Sequence, residues 1–470
     1  MNVPTATALW RMGSAQLAAA IREGHVSSRE VVEAHLERIA GVNPAINAVP
    51  VVLAERALED ATLADRRLAS GGDLPPLLGV PFTVKANIDM AGTPTTHGMA
   101  ALSTADPGID APVVERLRAA GGIPLGRTNL PDFAIGWHTD SELWGATLNP
   151  WDATRTPGGS SGGEAAALAT GMSPLGIGND TGGSLRWPAQ CCGVATLKPT
   201  LGRVPAATTI EPRDLPIGNQ LMGVNGPMAR QVADLRLALK VIAGPTWRDP
   251  WSVPAPLRGP DPARPVRVAM VRDPAGMGTA PQVRDGVETA AAALSEAGYL
   301  IEELEPPSVE AAARVWLDIS IPPLRAGWDL WSAQVREPMK RWVLAFFEAA
   351  GEPDPAASIQ CFIDRQAILR AWGELQESRP LVLAPVAGIP PFEVGRHRSA
   401  VEVAGIIRAM RMAVAVNALG LPAVAVPVGI GSGLPQVVQV VGPRFREDLC
   451  LDAAQAIEER LAAITPIDPR

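Results

Sequence analysis

The chain has 470 residues, 47% hydrophobic and 19% charged, long enough for a large core in one big α/β domain or in more than one domain. Its formal net charge of −8 argues against a nucleic-acid surface, which is normally basic. No run of about 18 uninterrupted apolar residues marks a membrane span, and the opening MNVPTATALWRMGSAQL lacks the cationic start of a signal peptide. The cysteines Cys191, Cys192, Cys361 and Cys450 have neither zinc-site spacing nor the density of a disulfide framework, so reduced thiols in a cytoplasmic protein are expected.

In chain order, two helices are expected first. SAQLAAAIREG ends in Gly24, and SSREVVEAHLERIAG opens with Ser27 and Glu30 at capping-box spacing and closes at Gly41. Val31, Val32, Leu36 and Ile39 recur at helical spacing. A third helix is expected over 52–70. From residue 78 the pattern changes: GVPFTVKANI reads as a strand, with a Gly/Thr/Pro loop at 91–98 after it. DAPVVERLRAAGGIPLG reads as helix, glycine stop and buried strand at 123–126, and EAAALATGMSPLGIGND repeats that order. Later strands are expected at 266–271, 380–386, 422–429 and 435–442, and a last helix over 448–462. Residues 245–265 read as a surface connection. Residues 305–375 read as mostly helical and carry Trp316, Trp328, Trp331, Trp342, Phe346 and Phe347, which suit either a helix–helix core or a pocket. Helices alternating with short apolar strands predict an α/β fold with helices on both faces of a large sheet.

Two glycine turns raise the question of chemistry. Residues 157–164 read PGGSSGGE, and a second turn, DTGGS, ends at Ser184, 24 residues after Ser160 across one helix and one strand. Both turns can therefore reach one edge of a sheet, where glycine lets backbone N–H groups point into one concavity and hold an oxyanion. A serine needs a base to become nucleophilic. His25 and His35 lie in the N-terminal helices and read as surface residues, whereas His97 and His138 fall in loops and stay open as candidates, with His397 the fifth histidine. No GxSxG pattern surrounds Ser184. The other candidate is Lys85, inside PFTVKANI. The chain has only Lys85, Lys198, Lys240 and Lys340 among its lysines, and burial of Lys85 on a strand would lower its pKa until the amine could accept a proton. Trp137, Trp144 and Trp187 suit core or pocket wall equally, and Cys191 and Cys192 read as packing residues.

Together, GVPFTVKANI, PGGSSGGEAAALA and GNDTGGSLRWPA resemble the amidase signature family of Ser–Ser–Lys hydrolases. RTNLPDFAIGW, LNPWDATRTPGGSS, PLVLAPVAGIPP and NALGLPAVAVPVG extend the resemblance over most of the chain, least of all over 245–375. The resemblance implies a single domain over 1–470, with N-terminal helices at 1–70, a signature core at 75–245, a variable substrate-capping segment at 305–375, and C-terminal strands and helix at 380–465. It implies Ser184 as nucleophile, Ser160 as bridging serine after a cis peptide bond, and Lys85 as base. The backbone N–H groups of Thr181, Gly182, Gly183 and Ser184 would form the oxyanion hole, with Asp180, Arg186 and Ser161 in support. Asn179 departs from the family, where a hydroxyl residue is commoner, as do Trp187 and the pair Trp137–His138, which are expected at the substrate pocket. No metal or cofactor is implied. The expected activity is hydrolysis of a carbonyl C–N bond in a small apolar or aryl amide, with ester or carbamate cleavage in the same reach, by a monomer or homodimer without nucleic-acid or membrane partners. The alternatives are the A subunit of a glutamine-dependent tRNA amidotransferase and an inactive binding protein on the same scaffold.

Overall fold

The computed structural model describes residues 6–352, 354–396 and 399–470. His397 lies outside the described residues. The strands in chain order are β1 (Val51–Val52), β2 (Pro81–Lys85), β3 (Ile123–Thr128), β4 (Asp140–Ser141), β5 (Gly145–Ala146), β6 (Leu175–Asp180), β7 (Ala195–Lys198), β8 (Val224–Ala229), β9 (Arg267–Met270), β10 (Leu300–Glu303), β11 (Leu381–Pro385), β12 (Ala423–Gly431) and β13 (Leu434–Val441). Eleven of them form one sheet in the order β1-β3-β2-β6-β8-β7-β12-β13-β11-β9-β10, while β4 and β5 pair as a small ribbon. The sheet is mixed: β2 runs parallel to β3 and β6, whereas β8, β7, β12 and β13 pair antiparallel.

Side-chain alternation along the strands divides the core in two. Leu381, Leu383, Val424 and Val426 face one layer, packed with helices that include Ser14–Arg22, Pro112–Ala119, Pro281–Glu296 and Glu447–Glu458. Val382, Ala384, Ala423 and Ala425 face the other, with helices Gly162–Ala169, Arg186–Cys192, Val309–Ala326 and Arg411–Ala418. Helices therefore cover both faces, as the alternating pattern predicts. On β2, Phe82 and Val84 face the first layer, which turns Thr83 and Lys85 toward the second.

Two expectations need correction. The helix opened by the Ser27–Glu30 capping box does not stop at Gly41 but runs Ser28–Ile46, because Val42 and Ile46 continue its buried face. It ends where the Asn43 side chain accepts the N–H groups of Ala48 and Val49 at 2.8 and 2.9 Å, and Asn47 turns left-handed at φ 56°. His35 is not a surface residue. It is fully buried, and its Nδ1 lies 2.8 Å from the Val31 carbonyl oxygen one turn earlier. Strands β1, β4, β5, β7, β8 and β10 go beyond those expected. VNGPMA in β8 holds three residue types that strands avoid, yet it lies between β6 and β7.

The helix Gly162–Ala169 fixes the first glycine turn against β3. Gly163 faces the Asn129 backbone so closely that an added Cβ would lie 2.5 Å from both Asn129 N and O. Helix propensity favours Ala over Gly by about 1 kcal/mol, but overpacking against backbone that cannot yield costs about 1–3 kcal/mol, so the steric effect should win. Gly163→Ala should therefore lower the urea midpoint. An unchanged or raised midpoint would show that this contact yields.

Candidate active site

Lys85 is the last residue of β2, and Asp180 is the last residue of the neighbouring parallel strand β6. Pairing of Thr83 with Gly176 and Val84 with Ile177 carries Lys85 alongside Gly178, with only Asn179 between that glycine and the second glycine turn. The site thus lies beyond the carboxyl ends of parallel strands, where open α/β sheets place ligands. Gly158 at φ 83° begins the first turn, the Gly159–Ser160 peptide bond is cis, and the helix Gly162–Ala169 starts just after Ser161. An added Cβ on Gly159 would come within 2.7 Å of His138 N. The 136–138 segment therefore packs directly on this turn.

These elements bring Lys85 Nζ to 2.6 Å from Ser160 Oγ and to 2.6 Å from Asn179 Oδ1. Lys85 is fully buried and Ser160 nearly so. Burial pushes the Lys85 amine down to about 7, against the attraction of Asp180 and Glu164, which pulls it up. Glu164 is also fully buried. It accepts from the Thr83 hydroxyl and, at 2.8 Å, from the Thr128 hydroxyl. Burial pushes its carboxyl up to about 7, opposed by those two hydroxyls and by Lys85.

Ser184 is 9% exposed, the most open of the three. Its carbonyl accepts the Ser161 N–H at 3.2 Å, which ties the two turns together. Among the described residues no hydrogen bond joins the Ser160 and Ser184 hydroxyls. Catalytic hydrogen bonds are often long or misaligned in the absence of substrate. The Asp180 carboxylate braces the DTGGS turn by accepting from Gly183 N at 2.7 Å, Leu185 N at 3.1 Å and Arg186 Nε at 3.1 Å. Burial alone would push the Asp180 carboxyl up, but the adjoining Arg186 guanidinium holds it well below the usual carboxylate range. Arg186 also donates to Gln439 Oε1, the Ala413 carbonyl and Asn417 Oδ1 at 2.9, 2.9 and 2.6 Å. The expected oxyanion donors therefore divide: the Gly183 N–H is engaged by Asp180, while those of Thr181, Gly182 and Ser184 have no backbone or side-chain acceptor among the described residues.

An aromatic wall stands on the other side of this turn. Trp137 Nε1 donates to Gly182 O at 2.9 Å, and Trp316 Nε1 donates to Thr181 O at 2.7 Å. Their rings stack at a centroid distance of 6.2 Å, and Trp342 and Phe346 meet Trp137 edge-on. A small cleft of about 30 Å³ is lined by Ile135, Trp137, His138, Arg336 and Trp342. Trp187, expected at a pocket, is instead fully buried. It stacks on Phe392 and holds the Trp137 carbonyl at 2.9 Å, so it supports the wall from behind. His138 lines the cleft, with Nδ1 3.0 Å from Thr156 Oγ1. Burial pushes the His97 imidazole down to about 4, and His25 pairs with Glu23 at the surface; among the described residues neither side chain hydrogen-bonds Ser160 or Ser184. Cys191 and Cys192 are buried, as packing residues would be. Among the described residues no cluster suits a metal ion, and no helix is long and apolar enough to cross a membrane.

Sequence reasoning missed Glu164, Asn87, Asn417 and Gln439. Glu164 was legible only as part of GGEAAA. Asn417 and Gln439 reach the site from a helix and a strand more than 200 residues away in sequence, where no local pattern marks them.

A family model described as Amidase matches residues 30–451. The indoleacetamide hydrolase of Bradyrhizobium diazoefficiens is 42% identical over 459 residues, covering 97% of this chain and 88% of that protein. The A subunit of the glutamyl-tRNA(Gln) amidotransferase of Symbiobacterium thermophilum is 34% identical over 95% of this chain and 96% of its own. Among solved structures, a 6-aminohexanoate cyclic dimer hydrolase complexed with substrate matches with a TM-score of 0.82 at 28% identity, over 97% of this chain and 99% of that one.

Asp180 and Arg186 both have no exposed side-chain surface. Removing one partner of a buried pair leaves an uncompensated charge and costs about 3–5 kcal/mol. Arg186→Met should therefore lower unfolding stability by that amount in urea. A midpoint equal to the parent's would mean that the pair does not hold the turn.

Proposed function

The chain belongs to the amidase family, and on that premise we propose that it hydrolyses the amide of a small, flat aromatic acid through an acyl-enzyme on Ser184. Lys85 is the base in this reading, and the 2.6 Å approach of its buried Nζ to Ser160 Oγ is the observation that carries it. The neutral amine takes the Ser160 proton as Ser160 takes that of Ser184. Ser184 Oγ then attacks the carbonyl carbon. The oxyanion is held by the N–H groups of Thr181, Gly182 and Ser184. Removing one such donor costs roughly 3–4 kcal/mol in a well-studied serine protease. Ser160 hands its proton to the leaving nitrogen, and the C–N bond breaks. Water, deprotonated by the same relay, then attacks the acyl-enzyme and releases the acid.

Substrate class follows from the aromatic wall. Trp137 and Trp316 turn their indole N–H edges to the Gly182 and Thr181 carbonyls, on the side of the turn away from its N–H groups, and stack their faces on each other. Apolar walls with few polar groups suit an aryl or indolyl acyl part. The relative named indoleacetamide hydrolase points the same way, to a primary amide with ammonia as the leaving group. The 305–375 segment supplies Trp316, Trp342 and Phe346 to this wall, in keeping with a substrate cap. Aryl esters and carbamates offer the same attack on a carbonyl carbon and are expected as alternatives. The A subunit of a glutamine-dependent tRNA amidotransferase is the second reading, favoured by the likeness to such proteins; it would release ammonia from glutamine instead.

Purified protein given indole-3-acetamide, phenylacetamide or glutamine should release ammonia from the two arylacetamides and little from glutamine. Preference for glutamine would overturn the substrate class in favour of the second reading.

A fluorophosphonate should label Ser184, and Ser184→Ala should abolish labelling. The amine must be neutral to act, so labelling should rise as pH climbs through about 7 and stay high on the alkaline side. Lys85→Arg, which keeps the charge and cannot lose it, should be nearly as damaging as Lys85→Ala. Full labelling of Lys85→Arg at pH 8 would rule the base out.

Trp316→Leu, if folded, should raise KM for indole-3-acetamide about tenfold relative to acetamide, the upper range for an aromatic contact. An unchanged ratio would make the wall mere scaffold.

A further inference from the structure

The Lys85 amine has two neighbours, and only one of them belongs to the proton relay. The second is Asn179, whose Oδ1 accepts from Nζ at 2.6 Å. Asn179 is itself fixed, because its Nδ2 donates to Asn87 Oδ1 at 3.0 Å. Asn87 lies two residues beyond β2, and Asn179 stands next to last in β6, so the parallel strands bring both to the end of the site. An amide whose nitrogen is already donating must present its oxygen to the lysine. A neutral amine carries two N–H donors and one lone pair. With one N–H committed to Asn179, the lone pair is confined to the two remaining staggered positions, and the 2.6 Å approach of Ser160 Oγ places the hydroxyl to meet it in one of them.

We infer that Asn179, held in one orientation by Asn87, is a positioning residue that aims the lone pair of Lys85 at the Ser160 hydroxyl proton. This rests on the reading of Lys85 as the base. A hydroxyl at position 179, the commoner choice in the family, could rotate to donate or to accept and would fix neither. An amide clamped by a second amide has no such freedom.

The groups that set the charge on Lys85 approach from several elements. Asp180 ends β6, Glu164 lies on the helix Gly162–Ala169, and His97 stands on the loop after β2. Arg127 on β3 donates to the Lys85 carbonyl at 3.3 Å, and Asp89, on that same loop, is engaged by Thr208 and Thr209. The variants below leave all of these in place.

The test follows fluorophosphonate labelling of Ser184 against pH in the full chain carrying Asn179→Asp, Asn87→Ala or Lys85→Arg. A carboxylate at 179 would hold the amine protonated. The pH of half-maximal labelling should therefore rise by about one to three units, with labelling at pH 7 falling about fivefold or more and recovering at higher pH. Asn87→Ala frees the Asn179 amide to turn its nitrogen toward Lys85. The plateau should then fall, and the half-maximal pH should move down as an acceptor for the charged amine is lost. A merely structural role would lower labelling without moving the half-maximal pH. An unmoved half-maximal pH in both variants, or in whichever one folds, would overturn the inference. If Lys85→Arg labels like the parent, the base reading has failed. If Lys85→Arg is silent while both asparagine variants keep the parent's profile, the positioning role alone has failed.

Discussion

A lysine amine with no exposed surface, 2.6 Å from a serine hydroxyl, has little freedom of charge. Left protonated and unpaired it would carry a heavy desolvation cost, so it sheds its proton far below the usual lysine range. Asp180 and Glu164 limit this shift, and the balance leaves the amine near 7. The surroundings serve that balance. Glu164 lies against the same strand with both oxygens taken by threonine hydroxyls, and Asp180 is tied to Arg186, so neither carboxylate is free to form a full ion pair with the lysine. A direct Lys–carboxylate contact would hold the amine charged and useless as a base.

The buried Asp180–Arg186 pair connects electrostatics to shape. Asp180 accepts two backbone N–H groups of the DTGGS turn, and Arg186 extends outward to Gln439, Ala413 and Asn417. The turn that presents Ser184 is thereby anchored to the helix Arg411–Ala418 and to β13, across the middle of the sheet. On the opposite side, the indole N–H groups of Trp137 and Trp316 hold the carbonyls of Gly182 and Thr181. Donor groups that point into the site are thus kept in place by acceptors and donors that point away from it. Such preorganisation is what lets backbone dipoles stabilise an oxyanion without reorganising during the reaction. Glycine at 182 is required by the same crowding, since an added Cβ would meet the Trp316 ring at 2.6 Å, and glycine at 183 by its positive φ of 97°.

Much of this was legible in the sequence because local patterns carry it. The capping box at Ser27–Glu30, the strand PFTVK and the helix–glycine–strand repeats appear where periodicity places them. Ser160, Ser184 and Lys85 stood out as candidates because glycine turns and an isolated lysine on an apolar strand are short-range signals, and their expected roles came from the family resemblance of those motifs. Features that depend on tertiary contact were not legible. Gly41 looked like a stop, but packing of Val42 and Ile46 carried the helix past it. His35 looked exposed because nothing local marks a helix that is covered on that face. β8 was missed because its Asn, Gly and Pro argue against a strand, and only its neighbours β6 and β7 hold it in the sheet. The Gly183 N–H could not be separated from its neighbours as a donor until Asp180 was seen to occupy it.

The central claim is the neutrality of Lys85, and nitrogen-detected NMR of ε-labelled lysine addresses it directly in a chain whose lysines are Lys85, Lys198, Lys240 and Lys340. Lys198 is buried too, and burial pushes its amine down to about 7, so single Lys85→Arg and Lys198→Arg variants are needed to separate the two signals. The account predicts that the resonance lost in Lys85→Arg titrates about three units below a free lysine, near pH 7. Titration of that resonance above pH 10 would contradict it, because the amine would then be charged throughout the range in which a general base must act.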